Sequence, residues 1–129
     1  MEERNIFRNL SPLDHRYYLT NRDLFEKLSD YISEQASISY CVAAEASLLK
    51  AYVKRFFNGN PDYLTAIDAL QTSIEPEEVY AEEEKTQHNI RALVNVIKRK
   101  LPHELIPFVH LGATSVDILD TALSMRMRD

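Results

Sequence analysis

The chain has 129 residues, of which 45% are hydrophobic and 27% are charged, and its formal net charge is −5. This length suffices for one domain with its own core. The acidic balance without a basic stripe argues against nucleic-acid binding. No apolar run approaches the roughly 20 residues that cross a bilayer, and the charged start lacks the apolar stretch of a signal peptide. We therefore expect a cytoplasmic protein.

Glycine and cysteine are both scarce, with two glycines and one cysteine in the chain. Few glycines disfavour a sheet-rich fold with many tight turns and favour long helices. Cys41 cannot form an internal disulfide, and it lies among apolar helix positions, so we expect a buried, unreactive thiol. No Cys/His spacing is typical of a zinc site, and no metal is expected.

The amino-terminal third begins without clear periodicity. Residues 11–14 (Ser-Pro-Leu-Asp) predict a turn. Thr20 predicts the N-cap of a short helix, and Ser33 either caps the next helix or interrupts this one. From there to Phe57 apolar residues recur at helical spacing, and Glu45 falls within that stripe, so it is either paired or at the domain edge.

Two further helices follow residues 58–61 (Asn-Gly-Asn-Pro), which predict a left-handed cap and a proline in the next first turn. The second of them is expected to run unbroken from near Pro76 to before Pro102. Its glutamates lie early and its Lys and Arg residues lie late, as the helix dipole favours. A last helix is predicted from Asp117 to Arg128. The sequence thus predicts an all-α fold, a single helical domain of about five helices.

His88 is the first candidate for chemistry. It points away from the apolar stripe of its predicted helix, so it is either a solvated surface histidine or part of a cleft formed with a second surface. Gln87 and Asn89 flank it with further hydrogen-bonding groups. In a cleft, the imidazole could donate a hydrogen bond to a substrate oxygen.

A second candidate is the segment from Gly112 to Ser115 before the last helix. Free N–H groups at a helix start favour an anion, and the hydroxyls of Thr114 and Ser115 add donors. Asp117 completes a capping-box pattern with Thr114, and its charge favours a carboxylate over a triphosphate as the ligand. The alternative is a simple N-cap after a turn.

Arg16 and Tyr17 form the third candidate. The guanidinium offers a planar fork of donors to a phosphate or carboxylate, and the alternative is a surface arginine beside a packed tyrosine. His103 and His110 are both interpreted first as ordinary loop histidines.

Taken in order, these segments resemble adenylosuccinate lyases. Residues 11–17 (Ser-Pro-Leu-Asp-His-Arg-Tyr) resemble the family's Ser-Pro-Leu-Asp-Gly-Arg-Tyr, and residues 86–89 (Thr-Gln-His-Asn) resemble its Thr-x-His-Asp. Residues 110–122 (His-Leu-Gly-Ala-Thr-Ser-Val-Asp-Ile-Leu-Asp-Thr-Ala) are a close match to its His-x-Gly-x-Thr-Ser-x-Asp-x-x-Asp-Thr-Ala. This last motif places the chain in the wider fumarase and aspartase superfamily.

The resemblance implies that residues 1–129 are the N-terminal helical domain of a cytoplasmic homotetrameric lyase of purine biosynthesis. Adenylosuccinate would be cleaved to AMP and fumarate, and the succinyl carboxamide ribotide to its amine and fumarate, by β-elimination without a cofactor. Its central helical bundle, its C-terminal domain, the general-acid histidine and the serine base would lie outside this chain. The isolated fragment is therefore expected to be inactive.

The resemblance also assigns roles to the candidates. Arg16 and Tyr17 would bind the nucleotide phosphate, residues 87–89 would line the nucleotide side of the cleft, and Thr114 and Ser115 would hold a succinyl carboxylate, supported by Gly112 and Asp117. Asn89 and His15 depart from the family's usual Asp and Gly. Two alternatives stay open: a 3-carboxymuconate cycloisomerase-like enzyme, and a non-catalytic helical interaction module.

Overall fold

The computed structural model describes residues 5–11 and 14–129, and the side chains of His15 and Arg16 lie outside the described part. This part of the chain is all-α and contains no strand, as predicted. Three short 3-10 turns accompany the helices. The helices are α1 (Asp14–Tyr17), α2 (Arg22–Ile32), α3 (Glu34–Phe56), α4 (Pro61–Ser73), α5 (Pro76–Thr86), α6 (Asn89–Arg99) and α7 (Ser115–Arg128).

The start of α1 is held by a buried carboxylate. Asp14 is 1% exposed and accepts hydrogen bonds from the N–H groups of Leu10 at 2.7 Å and Ser11 at 3.0 Å. The predicted turn includes Pro12 and Leu13, which lie outside the described residues. The predicted N-cap at Thr20 is wrong, because Thr20 ends a 3-10 turn and its hydroxyl donates to the Tyr17 carbonyl, which leaves Asn21 as the cap of α2.

The boundaries of α3 follow the sequence closely. Ser33 caps it, since its hydroxyl accepts a hydrogen bond from Ala36 N–H at 3.1 Å. Asn58 and Gly59 both take positive φ angles, 51° and 67°, which reverse the chain after α3. Asn60 then caps α4, and Pro61 occupies its first position, where the missing N–H has no cost.

The continuous helix predicted from Pro76 to Pro102 is wrong: it is two helices that form a tight hairpin. Gln87 adopts a left-handed conformation at φ 53°, which ends α5, and α6 begins at Asn89. The break lets α6 fold back along α5, so that Val79 of α5 and Ile90 of α6 are both buried in one core. That burial outweighs the modest strain of a non-glycine residue at positive φ.

The α5–α6 hairpin is also joined by polar contacts. Glu82 of α5 is 6% exposed and accepts hydrogen bonds from Asn95 at 2.9 Å and from Arg99 of α6. Lys85 lies 3.6 Å from the same carboxylate. The bonds from Arg99 and Asn95 lower the pKa of Glu82 from its ordinary 4.5 to about 2.

The hydrophobic core lies between α3, α4, α5, α6 and α7. Cys41 of α3 is buried in it, and burial raises the pKa of its thiol to about 11, as expected of an unreactive cysteine. The last helix, α7, starts at Ser115, two residues earlier than the predicted Asp117. Among the described residues, no helix combines the length and apolar character needed to span a membrane.

Candidate functional site

His88 lies at the break between α5 and α6 and caps α6. Its Nδ1 accepts a hydrogen bond from Arg91 N–H at 3.2 Å. Because Nδ1 is an acceptor there, the neutral ring carries its proton on Nε2. The side chain is exposed, which confirms that His88 is not a core residue. The predicted orientation on a continuous helix does not apply, because His88 caps the start of α6 and shares the cleft with Ile90 and Val94.

Ser115 is the first residue of α7 and reaches His88 from another part of the fold. Its Oγ lies 3.3 Å from His88 Nε2, across 27 residues of sequence. The predicted capping box is confirmed, since Asp117 accepts a hydrogen bond from Thr114 N–H at 2.8 Å. Two elements that are remote in sequence thus present an imidazole and a hydroxyl to one place.

The turn before α7 is held against α3. Tyr52 of α3 donates its hydroxyl to the Leu111 carbonyl at 2.8 Å. Gly112 follows at φ 74°, and a Cβ there would lie 3.5 Å from the Tyr52 hydroxyl. A side chain at this position would be strained by the backbone more than by crowding. Gly112 therefore shapes the turn that delivers Thr114 and Ser115.

An open cleft of about 390 Å³ lies where these elements meet. Its lining is Thr86, His88, Ile90, Arg91, Val94, His110 and Ser115. Arg91, His88 and Ser115 supply hydrogen-bond donors, and none of the lining residues that the structure describes carries a carboxylate. Such a surface suits an anionic ligand. Among the described residues, no cluster of three or more metal-ligating side chains is found.

His110, interpreted from the sequence as an ordinary loop histidine, is a member of this cleft. Its Nδ1 lies 2.6 Å from Oε1 of Glu45, which is 2% exposed on α3. Burial raises the pKa of the Glu45 carboxyl, and the bond from His110 opposes that rise. The sequence did hold a clue, because Glu45 interrupts an apolar stripe and a buried carboxylate needs a partner.

The other candidate residues are placed differently. Gln87 donates its amide to the Glu84 carbonyl at 2.8 Å, and the Asn89 side chain accepts from Ile90 N–H at 2.7 Å, so both bond to the backbone of nearby residues. Tyr17 is half-exposed on α1, and the side chain of Arg16 lies outside the described part. The structure therefore brings together His88 and Ser115, and adds to them Thr86, Arg91 and His110.

Three curated relatives resemble the chain, and all are named adenylosuccinate lyase. The protein of Archaeoglobus fulgidus is 32% identical over 123 aligned residues, which cover 92% of this chain and 24% of the relative. The protein of Buchnera aphidicola is 26% identical and covers 92% and 27%, and that of Dictyostelium discoideum is 28% identical and covers 90% and 27%.

These matches confirm the resemblance to adenylosuccinate lyases that the motifs indicate. The chain spans about a quarter of the length of the curated relatives it matches. No family model matches the chain, and no solved structure matches it.

Proposed function

We propose that this chain is the N-terminal domain of an adenylosuccinate lyase and that its cleft binds part of the substrate. The similarity to three such lyases over nine-tenths of the chain supports this assignment. The His-x-Gly-x-Thr-Ser motif at residues 110–115 supports it independently of overall identity. Both of its ends, His110 and Ser115, lie in the cleft lining.

The observation that carries the proposal is the meeting of His88 and Ser115. His88 Nε2–H and the Ser115 hydroxyl lie 3.3 Å apart, and Arg91 lines the same cleft. Donors that converge from two helix starts, with no carboxylate among the described lining residues, can hold a carboxylate of a succinyl group. In a β-elimination, negative charge develops beside that carboxylate, and fixed donors stabilise it.

Further roles follow from the family motif. Arg16 and Tyr17 bind the nucleotide phosphate, and Gln87 and Asn89 contribute to the nucleotide side around His88. Thr114 adds a hydroxyl beside Ser115. Supporting roles fall to Gly112, which allows the turn, and to Asp117, which caps Thr114.

The remaining machinery belongs to the rest of the parent protein. A general acid that protonates the leaving nitrogen and a base that removes the proton next to a carboxylate are both needed. We assign both to segments beyond this chain, together with the central bundle of a homotetramer. Exposed apolar side chains on α2 and α7, among them Leu24, Ile32 and Leu123, give such segments a surface on which to pack. The parent enzyme uses no cofactor and acts in purine biosynthesis in the cytoplasm.

The first experiment assays the parent protein for fumarate release from adenylosuccinate. Turnover of adenylosuccinate supports the proposal, and turnover of 3-carboxymuconate with none of adenylosuccinate contradicts it. The isolated chain is assayed in parallel, and we expect no turnover, because the acid and base are elsewhere. Catalysis by the pure 129-residue chain would contradict the assignment of the general acid and base to other segments of the parent protein.

The second experiment tests the cleft with variants of the parent enzyme. Ser115→Ala should lower kcat/KM by about 10-fold to 100-fold, as loss of a hydrogen bond to a charged group does. His88→Asn should lower it similarly while keeping a good helix N-cap. Ser124→Ala is the matched control, because Ser124 is an exposed serine of the same helix whose hydroxyl, among the described residues, bonds only to the Asp120 carbonyl. If all three variants kept the wild-type kcat/KM, the cleft would not be part of the active site.

A further inference from the structure

The two imidazoles of the cleft each use Nδ1 for a hydrogen bond within the protein, but in one ring this atom accepts and in the other it donates. His88 Nδ1 accepts a backbone N–H, so its neutral ring is protonated on Nε2. His110 Nδ1 faces a carboxylate oxygen at 2.6 Å. When that carboxylate is ionised, only an N–H can face it, and the proton of His110 is placed on Nδ1.

Glu45 is an unusual residue for its position. It is 2% exposed on the buried face of α3, one turn from both Cys41 and Leu49 in the core. Its second oxygen, Oε2, is buried and has no hydrogen-bond partner in the described part of the chain. A carboxylate in this setting costs stability compared with an apolar residue. Packing alone therefore does not account for a glutamate here.

The backbone of His110 is also constrained. It adopts φ 62°, in the left-handed region that a non-glycine residue seldom occupies. The turn is tied to α3 on its other side by the Tyr52 hydroxyl bond to Leu111. The pair with Glu45 and this tie together fix the ring of His110 over α3. Its Nε2 makes no hydrogen bond to any residue that the structure describes and is left for the cleft.

We propose that Glu45 is a positioning residue of the cleft, which fixes His110 with its proton on Nδ1 and its Nε2 lone pair available to a ligand. In their neutral forms, His88 then offers a donor and His110 an acceptor. A ligand that fits has a carboxylate oxygen for His88 and Ser115 and a hydroxyl or N–H group for His110. The assignment of that ligand as a succinyl nucleotide rests on the proposed function, whereas the tautomer does not.

The direct test is nitrogen NMR of the histidine side chains in the 129-residue chain. The two tautomers give different shifts for the protonated and unprotonated ring nitrogens. At a pH where both rings are neutral, we expect His110 to be protonated on Nδ1 and His88 on Nε2. A wild-type His110 protonated on Nε2 would overturn the proposal without the need for any variant.

Variants then test whether Glu45 is the cause. A glutamine can both accept and donate, so Glu45→Gln should replace the fixed tautomer of His110 by a mixture while His88 keeps its own. Glu82→Gln is the matched control, because it alters another buried carboxylate that has no contact with His110. Unchanged His110 shifts in Glu45→Gln would contradict the positioning role.

Kinetics of the parent enzyme separate this inference from the proposed function. Glu45→Gln should lower kcat/KM for adenylosuccinate by about 10-fold, the scale of one hydrogen bond, and Glu82→Gln should leave it unchanged. If the tautomers are as stated and the wild-type parent does not turn over adenylosuccinate, the proposed function fails and the role of Glu45 stands. If turnover is normal and His110 carries its proton on Nε2, the proposed function stands and the role of Glu45 fails.

Discussion

Two buried glutamates on different helices differ in how their carboxylates are satisfied, and their pKa values are shifted in opposite directions. Glu82 of α5 receives hydrogen bonds from Asn95 and Arg99 and lies near Lys85, and these groups lower its pKa to about 2. Among the described residues, Glu45 of α3 has only His110 as a hydrogen-bond partner, and burial raises the pKa of its carboxyl.

The difference separates a structural carboxylate from a functional one. The hydrogen-bond partners of Glu82 lie on α6, which packs against α5, so these bonds are explained by the fold that they stabilise. Glu45 leaves one oxygen unpartnered among the described residues, and its single partner opens into the cleft. Incomplete satisfaction of a buried charge is typical of sites where another role offsets its cost.

The largest loss of stability is expected from truncating an apolar core residue near Glu45, against which the two glutamate variants can be compared. Leu49 is 2% exposed and lies one turn further along the same buried face. Leu49→Ala should lower the free energy of unfolding by about 2–5 kcal/mol, through lost burial and a cavity. Urea denaturation measures it, and Ser47→Ala on the exposed face of α3 is the control. A loss no larger than that of the control would mean that this face of α3 is not core.

Glu82→Gln should produce the next largest loss of stability, with a distinct pH dependence. The folded-state pKa of Glu82 is lowered from 4.5 to about 2, so its ionised form stabilises the fold above pH 4.5, and that contribution is lost as the pH falls towards 2. Thermal melts should show a lower Tm for the variant at neutral pH and convergence with wild type in acid. Glu84→Gln, an exposed neighbour, is the control, and a constant Tm difference across this range would argue against an ionised Glu82.

The comparison also shows why part of the fold was predictable and part was not. Short-range patterns predict the left-handed turn at residues 58–59, the first-turn proline at Pro61 and the capping box at Thr114, and the structure confirms them. Of the two roles that the sequence left open for Ser33, the structure shows the helix cap. The break between α5 and α6 was not predictable in this way, because glutamine has no preference for the positive φ that Gln87 adopts. What favours the break is the contact of two apolar faces across the hairpin, which a one-dimensional pattern does not contain.

The site was predictable to a similar degree. His88 and the start of α7 could be selected from their positions relative to caps and apolar stripes. His110 could not, since its importance depends on Glu45, 65 residues away. The hydrogen bonds of the Gln87 and Asn89 side chains to the backbone of Glu84 and Ile90 also depend on where α5 ends.

Glu45→Gln should change the free energy of unfolding less than Glu82→Gln does, and its effect should depend on pH in the opposite direction. Because the folded-state pKa of Glu45 is raised above 4.5, its protonated form favours folding below that pH, and this contribution is lost as the pH rises through the raised pKa. The glutamine variant lacks this dependence. Its stability relative to wild type should therefore increase from acid to neutral pH, as measured by urea denaturation at several pH values. A variant that weakens relative to wild type over this range would show that Glu45 stabilises the fold when ionised.

The smallest effect is expected where a third carboxylate is introduced at an exposed helix start. Asn89 is the first residue of α6, the first turn of that helix has no acidic residue, and the Asn89 side chain accepts a hydrogen bond from Ile90 N–H. Asn89→Asp keeps the acceptor and adds a negative charge where the helix dipole favours one, so it should stabilise the fold by about 0.3–1 kcal/mol. The gain should shrink in high salt, since the position is exposed.

The same variant tests whether Asn89 belongs to the helix or to the cleft. If its side chain serves only the start of α6, Asn89→Asp in the parent enzyme should leave KM for adenylosuccinate within about two-fold of wild type, because an exposed charge is well screened. A KM change as large as that of Ser115→Ala would show that residue 89 faces the ligand. It would also mean that the aspartate usual in the resembled family acts on substrate, whereas an unchanged KM assigns that aspartate to the helix dipole.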